Sequence, residues 1–422
     1  MYLDTLNHKT IGIFGMGREG QALKDFFKAR LSHLNLIEIE ENNLSDLQKC
    51  DIVFKSPGVS LYRPEIQSLK QKGIELSSAT DLFMRLKNSE QKMIAVTGTK
   101  GKSTTASLLY HTLKHLGLSV GFGGNIGVPL INLFGQDFKW IVAELSSYQC
   151  ADFVGDPDIG VLVNLYPEHL QWHGSHEQYY QDKINMIRQA KKCIVNADNA
   201  KSIDYTKTLF PLFFNQEAGI HVANGFFMNG YEKLFPTDSL NLMGEHNLSN
   251  ACAVLTVVQQ MGLDLKKCAK AFSTFQSLPH RLEKIAEIGG ISFVDDSIST
   301  TPETAVAGLK SFPKTTPITL IVGGQDRGQD FSVLMDYLDL NQKRIRLIAL
   351  PDTGEKAFKL AQQHGIASFL CQTMQQAVFK AKSITPAGGI VLLSPAAPSY
   401  NLYRNFEERG SDFKKWVFSQ TS

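Results

Sequence analysis

The sequence predicts an α/β protein with mainly parallel sheets, divided into three domains. Short apolar runs alternate with amphipathic segments through the 422 residues, the order that builds parallel strands connected by helices. A chain of this length forms several domains with ample cores. A polar segment at 87–92 and a Ser-Leu-Pro break at 277–279 indicate boundaries that give domains 1–90, 91–278 and 279–422.

The apolar periodicity locates the main elements of each domain in turn. The first domain is expected to have strands at 10–14, 34–39 and 51–54 and helices at 19–29 and 64–71. The second is expected to have an apolar strand from Met93, a helix from Lys102, strands at 140–143 and 159–165, and a helix at 177–192. The third is expected to have strands at 291–294, 318–322, 346–350 and 389–393.

The first domain contains a glycine turn of the kind that binds diphosphates. Gly15, Gly17 and Gly20 form a G-x-G-x-x-G pattern between the first strand and the first helix, and acidic Glu38 and Glu40 close the second strand. This pattern predicts a Rossmann-like domain and leaves a dehydrogenase open as a competing class of enzyme. The pattern indicates a bound diphosphate but does not identify a nicotinamide.

The second domain opens with a phosphate-binding loop. The run from Met93 turns through Gly98 and Gly101, which let the backbone approach an anion, into a helix whose N–H groups and dipole favour negative charge. Lys102 is expected to reach the terminal phosphates and Ser103 to hold Mg²⁺. Only two residues separate the glycines, where the common Walker pattern has four. Two successive anion sites suggest a nucleotide-linked substrate in the first domain and ATP in the second.

Composition excludes several classes of partner. Lys+Arg 43 against Asp+Glu 41 leaves a formal charge of +2, so no global field attracts nucleic acid or an anionic membrane. The six cysteines form no C-x-x-C pair, which predicts buried reduced thiols in a cytoplasmic enzyme without a zinc site. The first residues carry no export signal. The longest charge-free stretch, 115–136, contains six glycines and a proline, which argues against a membrane span.

Candidate metal ligands follow two later strands. Glu144 ends the strand at 140–143, and His169 follows the strand at 159–165. Because ligands cluster at the carboxyl ends of strands in open α/β sheets, both side chains are expected beside the phosphate loop. Mg²⁺ prefers oxygen, so an imidazole ligand requires strong anionic oxygens in the same site. Lys183, on the next helix, suits such a site only as a carbamate formed with CO₂.

These motifs together resemble those of the Mur ligases of peptidoglycan synthesis, and the match spans all three domains. The segments that carry the resemblance are 97–105, 144–147, 164–169, 244–250 and 278–281. Within the family, further segments resemble the member that adds D-glutamate to UDP-N-acetylmuramoyl-L-alanine: 15–20, 56–59, 394–400 and 405–410.

The resemblance implies a Rossmann-like C-terminal domain and an ATP-dependent ligase of cytoplasmic cell-wall precursor synthesis, on which cell shape and division depend. ATP would phosphorylate the carboxylate of UDP-N-acetylmuramoyl-L-alanine to an acyl phosphate, which the amine of D-glutamate would attack. Phosphate is a good leaving group, whereas oxide is a poor one. The protein is expected to act on these three substrates as a monomer.

The resemblance also implies roles for individual residues. The catalytic residues would be Lys102, Glu144, His169 and Lys183. Two Mg²⁺ ions are expected, one on Ser103 and Glu144 and the other on His169 and carbamylated Lys183. ATP would contact Gly98, Thr99, Lys100, Gly101, Lys102, Ser103, Thr104, Asn247, Asn250, Arg281 and Asp296. The UDP substrate would contact Gly15, Met16, Gly17, Arg18, Ser56, Pro57, Gly58, Asn125, Ser146 and His169. The amino acid would contact Thr300, Arg327, Ser399 and Phe406.

The sequence departs from the family pattern at two places. Segment 296–298 reads Asp-Ser-Ile where the family has Asp-Ser-Lys, so one cation is missing near the amino-acid site. Among the residues that match the family motifs, Arg327 is then the candidate cation to bind the distal carboxylate of glutamate. Segment 168–171 reads Glu-His-Leu-Gln where Asp-His-x-Asp is usual, although the histidine is retained.

Other functions remain open at this level. One is a related amide ligase, such as a diaminopimelate-adding ligase or a folylpolyglutamate synthase. The former usually carries Asp-Asn-Pro-Arg in its last domain, and this tetrapeptide does not occur in the chain. A non-catalytic nucleotide-binding or scaffold protein is another possibility, against which the intact Lys102, Glu144, His169 and Lys183 argue.

Overall fold

The computed structural model describes residues 2–242 and 244–419, which form two compact units. The first unit comprises Met1–Leu240 and Asn247–Phe275, and the second comprises Asn241–His246 and Gln276–Ser422. Each unit is built on parallel sheets flanked by helices, which confirms the predicted α/β class. The boundaries of the three predicted domains stay predictions.

The first sheet of the first unit consists of four parallel strands in the order β2-β1-β3-β4. The strands are β1 Thr10–Phe14, β2 Asn35–Ile39, β3 Ile52–Lys55 and β4 Glu75–Ser77. Its helices are α1 Arg18–Arg30, α2 Pro64–Gln71 and α3 Ala79–Leu86. The turn between β1 and α1 carries the G-x-G-x-x-G pattern, as predicted.

The second sheet has six parallel strands in the order β10-β9-β8-β5-β7-β6. The strands are β5 Lys92–Thr97, β6 Val120–Gly124, β7 Trp140–Glu144, β8 Ile159–Leu162, β9 Cys193–Asn196 and β10 Leu212–Phe214. The helices are α4 Lys102–His115, α5 Ser147–Ala151, α6 Leu170–His173, α7 His176–Gln189 and α8 Ala200–Thr206. Because β5 lies between β7 and β8, the loops that follow these three strands meet at one edge of the sheet.

A small antiparallel sheet in the first unit was not predicted from the sequence. It consists of β11 Ile220–Ala223, β12 Phe226–Asn229 and β13 Glu232–Pro236, in that order. Two helices follow, α9 Glu245–Gln260 and α10 Cys268–Thr274. Asn224 and Gly225 join β11 to β12 with φ of +51° and +77°, a backbone that Asn-Gly pairs favour in tight hairpins.

The second unit contains one six-stranded sheet in the order β14-β15-β19-β16-β17-β18, parallel except for the edge strand β14. The strands are β14 Glu283–Ile288, β15 Ile291–Asp295, β16 Ile318–Gly324, β17 Ile345–Asp352, β18 Ser368–Leu370 and β19 Ile390–Leu393. The helices are α11 Pro302–Lys310, α12 Ser332–Asp339, α13 Thr353–Gln363, α14 Met374–Ile384 and α15 Phe406–Phe418. Short 3-10 helices elsewhere in the chain are Tyr2–Leu6, Leu44–Lys49, Leu130–Leu133, Lys207–Leu209, Thr237–Ser239 and Leu265–Lys267.

One hydrophobic core serves both parallel sheets of the first unit. Phe27 of α1 packs on Phe54 of β3 with ring centroids 5.1 Å apart. Phe26 of the same helix packs edge-on against Phe134, 5.5 Å away, from the segment between β6 and β7. Fully burying such a side chain is worth roughly 1.5–3 kcal/mol. The glycine turn before α1 is therefore held firmly against the sheet that carries the phosphate loop.

The elements predicted from the sequence are present, with differences at some ends. Strand β8 ends at Leu162 and not at residue 165, and the side chain of Asn164 beyond it forms hydrogen bonds with the backbone of Lys100. Helix α7 ends at Gln189 and not at residue 192. Its predicted last turn is replaced by a hydrogen bond from the Lys191 N–H to the Pro157 carbonyl, 2.9 Å long.

The cysteines and the helices bear on two further expectations. All six cysteines are buried free thiols, as their scattered positions predicted. Across residues 2–242 and 244–419, no helix has both the length and the apolar character needed to cross a bilayer.

Candidate active site

The loop between β5 and α4 forms the centre of the candidate site. Gly101 has a φ of +78° and directly precedes α4, whose first N–H groups receive no side-chain cap. A Cβ at Gly101 would lie 2.6 Å from Asn250 Oδ1, and a Cβ at Gly98 would lie 2.9 Å from Val163 Cβ. Both positions therefore require glycine. The strand-turn-helix geometry expected of a phosphate loop is confirmed, and its uncapped N–H groups suit an anion.

The two residues between the glycines are fixed by Asn164, which follows β8. Thr99 N–H donates to the Asn164 carbonyl over 3.0 Å, and Lys100 N–H donates to Asn164 Oδ1 over 2.9 Å. Asn164 Nδ2 in turn donates to the Lys100 carbonyl over 3.0 Å. The Lys100 ammonium is paired with Glu168, and Lys102 Nζ lies 3.3 Å from the Thr99 carbonyl. The loop is consequently rigid around its short span.

Glu144 ends β7, beside β5, and its side chain is fully buried. Its Oε1 accepts a hydrogen bond from Asn125 Nδ2 over 2.9 Å. Its Oε2 is buried without a hydrogen-bond partner in the described part of the chain. Burying an anionic oxygen in this way is unfavourable unless a cation compensates it. The carboxylate, with the buried Ser103 hydroxyl at the start of α4, is a donor set that fits Mg²⁺.

Lys183 of α7 also contacts the loop and is 1% exposed. Its Nζ donates to the Gly98 carbonyl over 2.8 Å and lies 5.2 Å from the centre of the Tyr179 ring. Burial, reinforced by the positive charge of Lys102, lowers the pKa of the Lys183 ammonium to about 7. A large fraction of this amine is therefore neutral near pH 7, the form that reacts with CO₂.

His169 immediately precedes α6 in a left-handed conformation, with φ of +55°. Its ring is half-exposed and lies 5.1 Å from the Tyr148 ring, and its Nε2 is 3.6 Å from Glu168 Oε2. Burial lowers its pKa, an effect that the Glu168 charge opposes and the Lys183 charge reinforces. The imidazole is thus available in the neutral form that binds metals.

The glycine turn of the first sheet is shaped by close backbone contacts. Gly15 has a φ of +90°, and its carbonyl accepts a hydrogen bond from the Ser56 hydroxyl. A Cβ at Gly20 would lie 2.2 Å from that same carbonyl, so α1 approaches the turn as closely as a glycine allows. Met16 packs on the shared core, and Gly17 has open space around it. Turn residues 15–18 therefore lie next to the segment 56–58, and both were assigned to the UDP substrate.

Arg18 connects this turn to the phosphate-loop sheet. Its guanidinium donates to the carbonyls of Gly124, Asn125 and Gly127 over 3.1, 2.5 and 3.2 Å. The sequence assigned both Arg18 and Asn125 to the UDP substrate, and the structure brings the two residues into contact. In the observed arrangement the Arg18 guanidinium donates its hydrogen bonds to backbone carbonyls.

Ser146 caps helix α5 through a reciprocal arrangement with Gln149. Gln149 Nε2 also donates to Glu19 Oε1, on the first turn of α1, over 2.6 Å. The other oxygen of this carboxylate is buried without a hydrogen-bond partner in the described residues, and burial raises the pKa of Glu19 to about 7. The start of α5 and the start of α1 are thereby linked behind the two glycine turns.

A cavity of about 820 Å³ opens beside these groups in the first unit. It joins Gly58 and His169, which the sequence assigned to the UDP substrate. Tyr148 and Trp172 form part of its wall and stack on each other with centroids 4.7 Å apart. Sequence reasoning missed this aromatic wall, because the two residues meet only in the folded chain. Its size suits a small organic ligand.

The four distant ATP candidates are distributed over both units. Asn250 lies against Gly101 and donates through Nδ2 to Asn247 Oδ1 over 2.9 Å, so this pair is next to the phosphate loop. Arg281 and Asp296 belong to the second unit. There the Asp296 carboxylate accepts hydrogen bonds from the hydroxyls of Ser299 and Ser394, and burial raises its pKa to about 6.

The amino-acid candidates all lie in the second unit. Ser399 is buried, and the exposed Arg327 guanidinium lies 5.4 Å from the centre of the adjacent Tyr400 ring. Phe406 begins α15, and its carbonyl accepts the Ser297 hydroxyl over 2.8 Å. The structure thus brings the Arg327 loop next to the Ser399 turn. Among the described residues, no hydrogen bond or ion pair joins the Thr300 side chain to this group.

Arg409 organises these loops, although sequence reasoning assigned it no role. It is 1% exposed and donates to the Ser297 carbonyl and hydroxyl over 2.8 and 3.1 Å and to the Ala397 carbonyl over 3.0 Å. Burial lowers its pKa to about 10. A planar guanidinium is suited to binding several backbone acceptors at once. An isolated buried arginine in the N-F-E-x-R-G segment has no periodic signal that would reveal these partners.

Comparisons with known proteins agree with the geometry. Residues 96–258 match the family model described as Mur ligase middle domain. A Micromonospora protein named UDP-N-acetylmuramoyl-L-alanine–L-glutamate ligase is 34% identical, covering 99% of this chain and 98% of its own. A protein of the same name from Xanthomonas axonopodis pv. citri is 33% identical, with 98% and 96% covered. These relatives make a dehydrogenase or a scaffold untenable.

Solved structures give the same fold. The UDP-N-acetylmuramate-alanine ligase MurC from Thermotoga maritima matches with a TM-score of 0.64 at 20% identity, covering 98% of this chain and all of that one. The MurF ligase from the same organism, solved in complex with ADP, matches with a TM-score of 0.58 at 18% identity, covering 99% and 97%. With full-length relatives above 30% identity, the chain belongs to the Mur ligase family.

Proposed function

We propose that this enzyme joins glutamate to the alanine carboxylate of UDP-N-acetylmuramoyl-L-alanine at the expense of ATP. The observation that carries the proposal is the phosphate loop bounded by buried Glu144, with an unpartnered oxygen, and buried Lys183, with a pKa lowered to about 7. A simple nucleotide-binding domain has no need of two such unfavourable burials. Their joint position around the loop supports a site for phosphoryl transfer.

Charge is the main obstacle to the first step. The substrate carboxylate must approach an anionic γ-phosphate, and two unit charges ~4 Å apart repel by about 4 kcal/mol at an effective dielectric constant near 20. Lys102 and the first N–H groups of α4 would offset part of this repulsion. Phosphorylation gives an acyl phosphate, and attack by the glutamate amine then releases phosphate and forms the amide.

Two Mg²⁺ ions suit the remaining donors. Ser103 and Glu144 would hold one, and His169 with a carbamate on Lys183 would hold the other. When bound, the ions would supply positive charge to the transferring phosphoryl group. Two properties of Lys183 support its assignment: burial favours the neutral amine, which is the form that reacts with CO₂, and a protonated ammonium would repel a cation.

The cavity beside His169 would bind the UDP substrate. Gly15–Arg18 and Ser56–Gly58 would contact the diphosphate of that substrate. Arg327, Ser399, Phe406 and Thr300 of the second unit would recognise the amino acid. We also propose that the enzyme works in the cytoplasm, where its six buried thiols remain reduced, and as a monomer.

The identity of the amino acid includes a choice between L-glutamate and D-glutamate. The family resemblance of the sequence implies D-glutamate, whereas full-length relatives at 33–34% identity carry L-glutamate in their names. We therefore propose L-glutamate as the amino acid that this chain uses. Isoleucine at position 298, where the resemblance leads one to expect lysine, is compatible with a different arrangement of the bound amino acid.

Phosphate release measured with an amino-acid panel tests the proposal. The panel contains L-glutamate, D-glutamate, L-lysine and meso-diaminopimelate, each with ATP, Mg²⁺ and UDP-N-acetylmuramoyl-L-alanine, and Lys102→Ala serves as the inactive control. Release should require both the UDP substrate and glutamate, with L-glutamate fastest. Faster reaction with D-glutamate would favour the enantiomer expected from the sequence. Equal rates with diaminopimelate would overturn the assignment.

A further inference from the structure

Helix α6 carries a buried histidine that joins two other helices. His173 Nδ1 lies 2.5 Å from Asp182 Oδ2 on α7, and its Nε2 lies 3.0 Å from the Ser147 hydroxyl on α5. The three residues are between 2% and 5% exposed. None of them belongs to the candidate ligand sets described above.

The network continues into the first sheet's loops. The remaining oxygen of Asp182, Oδ1, accepts hydrogen bonds from the Tyr62 hydroxyl over 2.7 Å and from Gln178 Nε2 over 2.8 Å. Trp172, next to His173, donates through Nε1 to the Pro57 carbonyl over 3.1 Å. The four-residue helix α6 is thus hydrogen-bonded to α5, to α7 and to the segment 56–58, which is proposed to hold the UDP substrate.

The order serine, histidine and aspartate resembles the arrangement that activates a nucleophile. A substrate would have to reach the Ser147 hydroxyl, which is 3% exposed, past the His173 ring, which packs against both Tyr148 and Trp172. Burial on this scale suits a structural link between helices rather than a reacting group. The chemistry of the trio is therefore that of a fixed hydrogen-bond bridge.

The bridge ends beside the groups proposed to act in the reaction. Asp182 directly precedes Lys183, whose ammonium donates to the Gly98 carbonyl. Ser147 directly follows Ser146, the cap of α5, and lies three residues after Glu144. The two ends of the bridge therefore lie next to Lys183 and close to Glu144 in the sequence.

We propose that His173 is a positioning residue for the ligase reaction, holding α7 and α5 at the separation that aligns Lys183 and Glu144 on the phosphate loop. This inference rests on the proposed function for its effect on turnover. Its structural part, the bridge itself, does not depend on the identity of the substrates. Residues bonded directly to metal ligands typically change activity about 10–100-fold when removed, and the bridge acts one residue further away, so the lower end of that range is expected.

Single-atom changes test the bridge with little risk to folding. Ser147→Ala and Tyr62→Phe each remove one hydroxyl, and each should lower kcat about tenfold while the KM for ATP stays within about twofold. His173→Asn keeps a donor near the Nδ1 position and should retain more activity than His173→Ala. Tyr205→Phe is the matched control, because it removes an exposed tyrosine–carboxylate bond to Glu177 on the same helix α7.

Hydrogen–deuterium exchange supplies a readout that needs no substrate. In Ser147→Ala and His173→Asn, peptides covering 144–149 and 98–101 should exchange faster than in the parent, and those of Tyr205→Phe should not. Unchanged exchange in the bridge variants overturns the inference, as does parental kcat in variants whose exchange has increased. If the parent itself forms no amide product, the proposed function fails while the exchange experiment still decides whether the bridge positions these segments.

Discussion

Replacing Gly101 by alanine tests whether the phosphate loop needs the close approach of α9. Gly101 has a φ of +78°, and a Cβ there would lie 2.6 Å from Asn250 Oδ1. Gly117, at the other end of α4, has a φ of +82° but nothing within 4 Å of its position. The two substitutions therefore share the backbone strain, and only the first displaces a neighbour.

The expected magnitudes follow from these contacts. A left-handed conformation costs a non-glycine residue roughly 1–2 kcal/mol, so both variants should lose about that much free energy of unfolding. In Gly101→Ala the Asn250 side chain must also move and give up its 2.9 Å hydrogen bond to Asn247, a net loss of about 0.5–1.5 kcal/mol more. If Asn250 contacts ATP, a loss of about 1.4 kcal/mol in binding corresponds to a tenfold higher KM for ATP.

Urea unfolding and steady-state kinetics measure the two effects separately. Gly117→Ala should be destabilised with the KM for ATP unchanged, whereas Gly101→Ala should show the larger destabilisation and the higher KM. Adding Asn250→Ala to Gly101→Ala should cost little further stability, because the hydrogen bond to Asn247 is already lost, and should not restore the KM. Equal stability of the two single variants, or a parental KM for ATP in Gly101→Ala, would refute the reasoning.

Three further substitutions address the remaining charged groups. Between pH 4.5 and about 7 the folded chain retains the Glu19 proton that the unfolded chain has released, so the free energy of unfolding falls as pH rises through this window. Glu19→Gln should remove up to about 3 kcal/mol of that loss above pH 7 and little at pH 4.5. Thermal unfolding at both pH values measures the difference. Lys183→Ala should lose most activity, which bicarbonate does not restore but acetate restores in part, and full activity would exclude the carbamate. Arg327→Lys should raise the KM for glutamate several-fold and leave the KM for ATP unchanged, because an ammonium cannot form the two parallel hydrogen bonds of a guanidinium; a parental KM for glutamate would remove Arg327 from the amino-acid site.

The parts of the fold with a strong local signal could be predicted from the sequence. The turn at Gly98–Gly101 and the helix from Lys102 follow from an apolar run, two glycines and a helix-forming segment in direct succession. The same holds for the turn before α1. In both cases the backbone must take a conformation or an approach that only glycine allows, so the sequence carries the constraint itself.

Other features depend on contacts that the sequence does not encode locally. The bridge at His173 extends to residues 120 positions apart, because Tyr62 and Asp182 meet only in the folded chain. The antiparallel sheet is different, because Asn224-Gly225 is a local hairpin signal within a chain of predominantly parallel strands. Local turn chemistry would have found the hairpin, whereas no periodicity would have found the bridge.

The short spacing of the glycines in the phosphate loop is linked to the position at which β8 ends. With only two residues between the glycines, the backbone groups of Thr99 and Lys100 cannot satisfy one another within the loop. Asn164 provides a carbonyl and a side-chain amide for them at 2.9–3.0 Å, and it can do so because β8 stops at Leu162. A longer loop of the common kind would move these groups away from Asn164. The strand end that sequence periodicity placed three residues too late is therefore the feature that makes the compact loop possible.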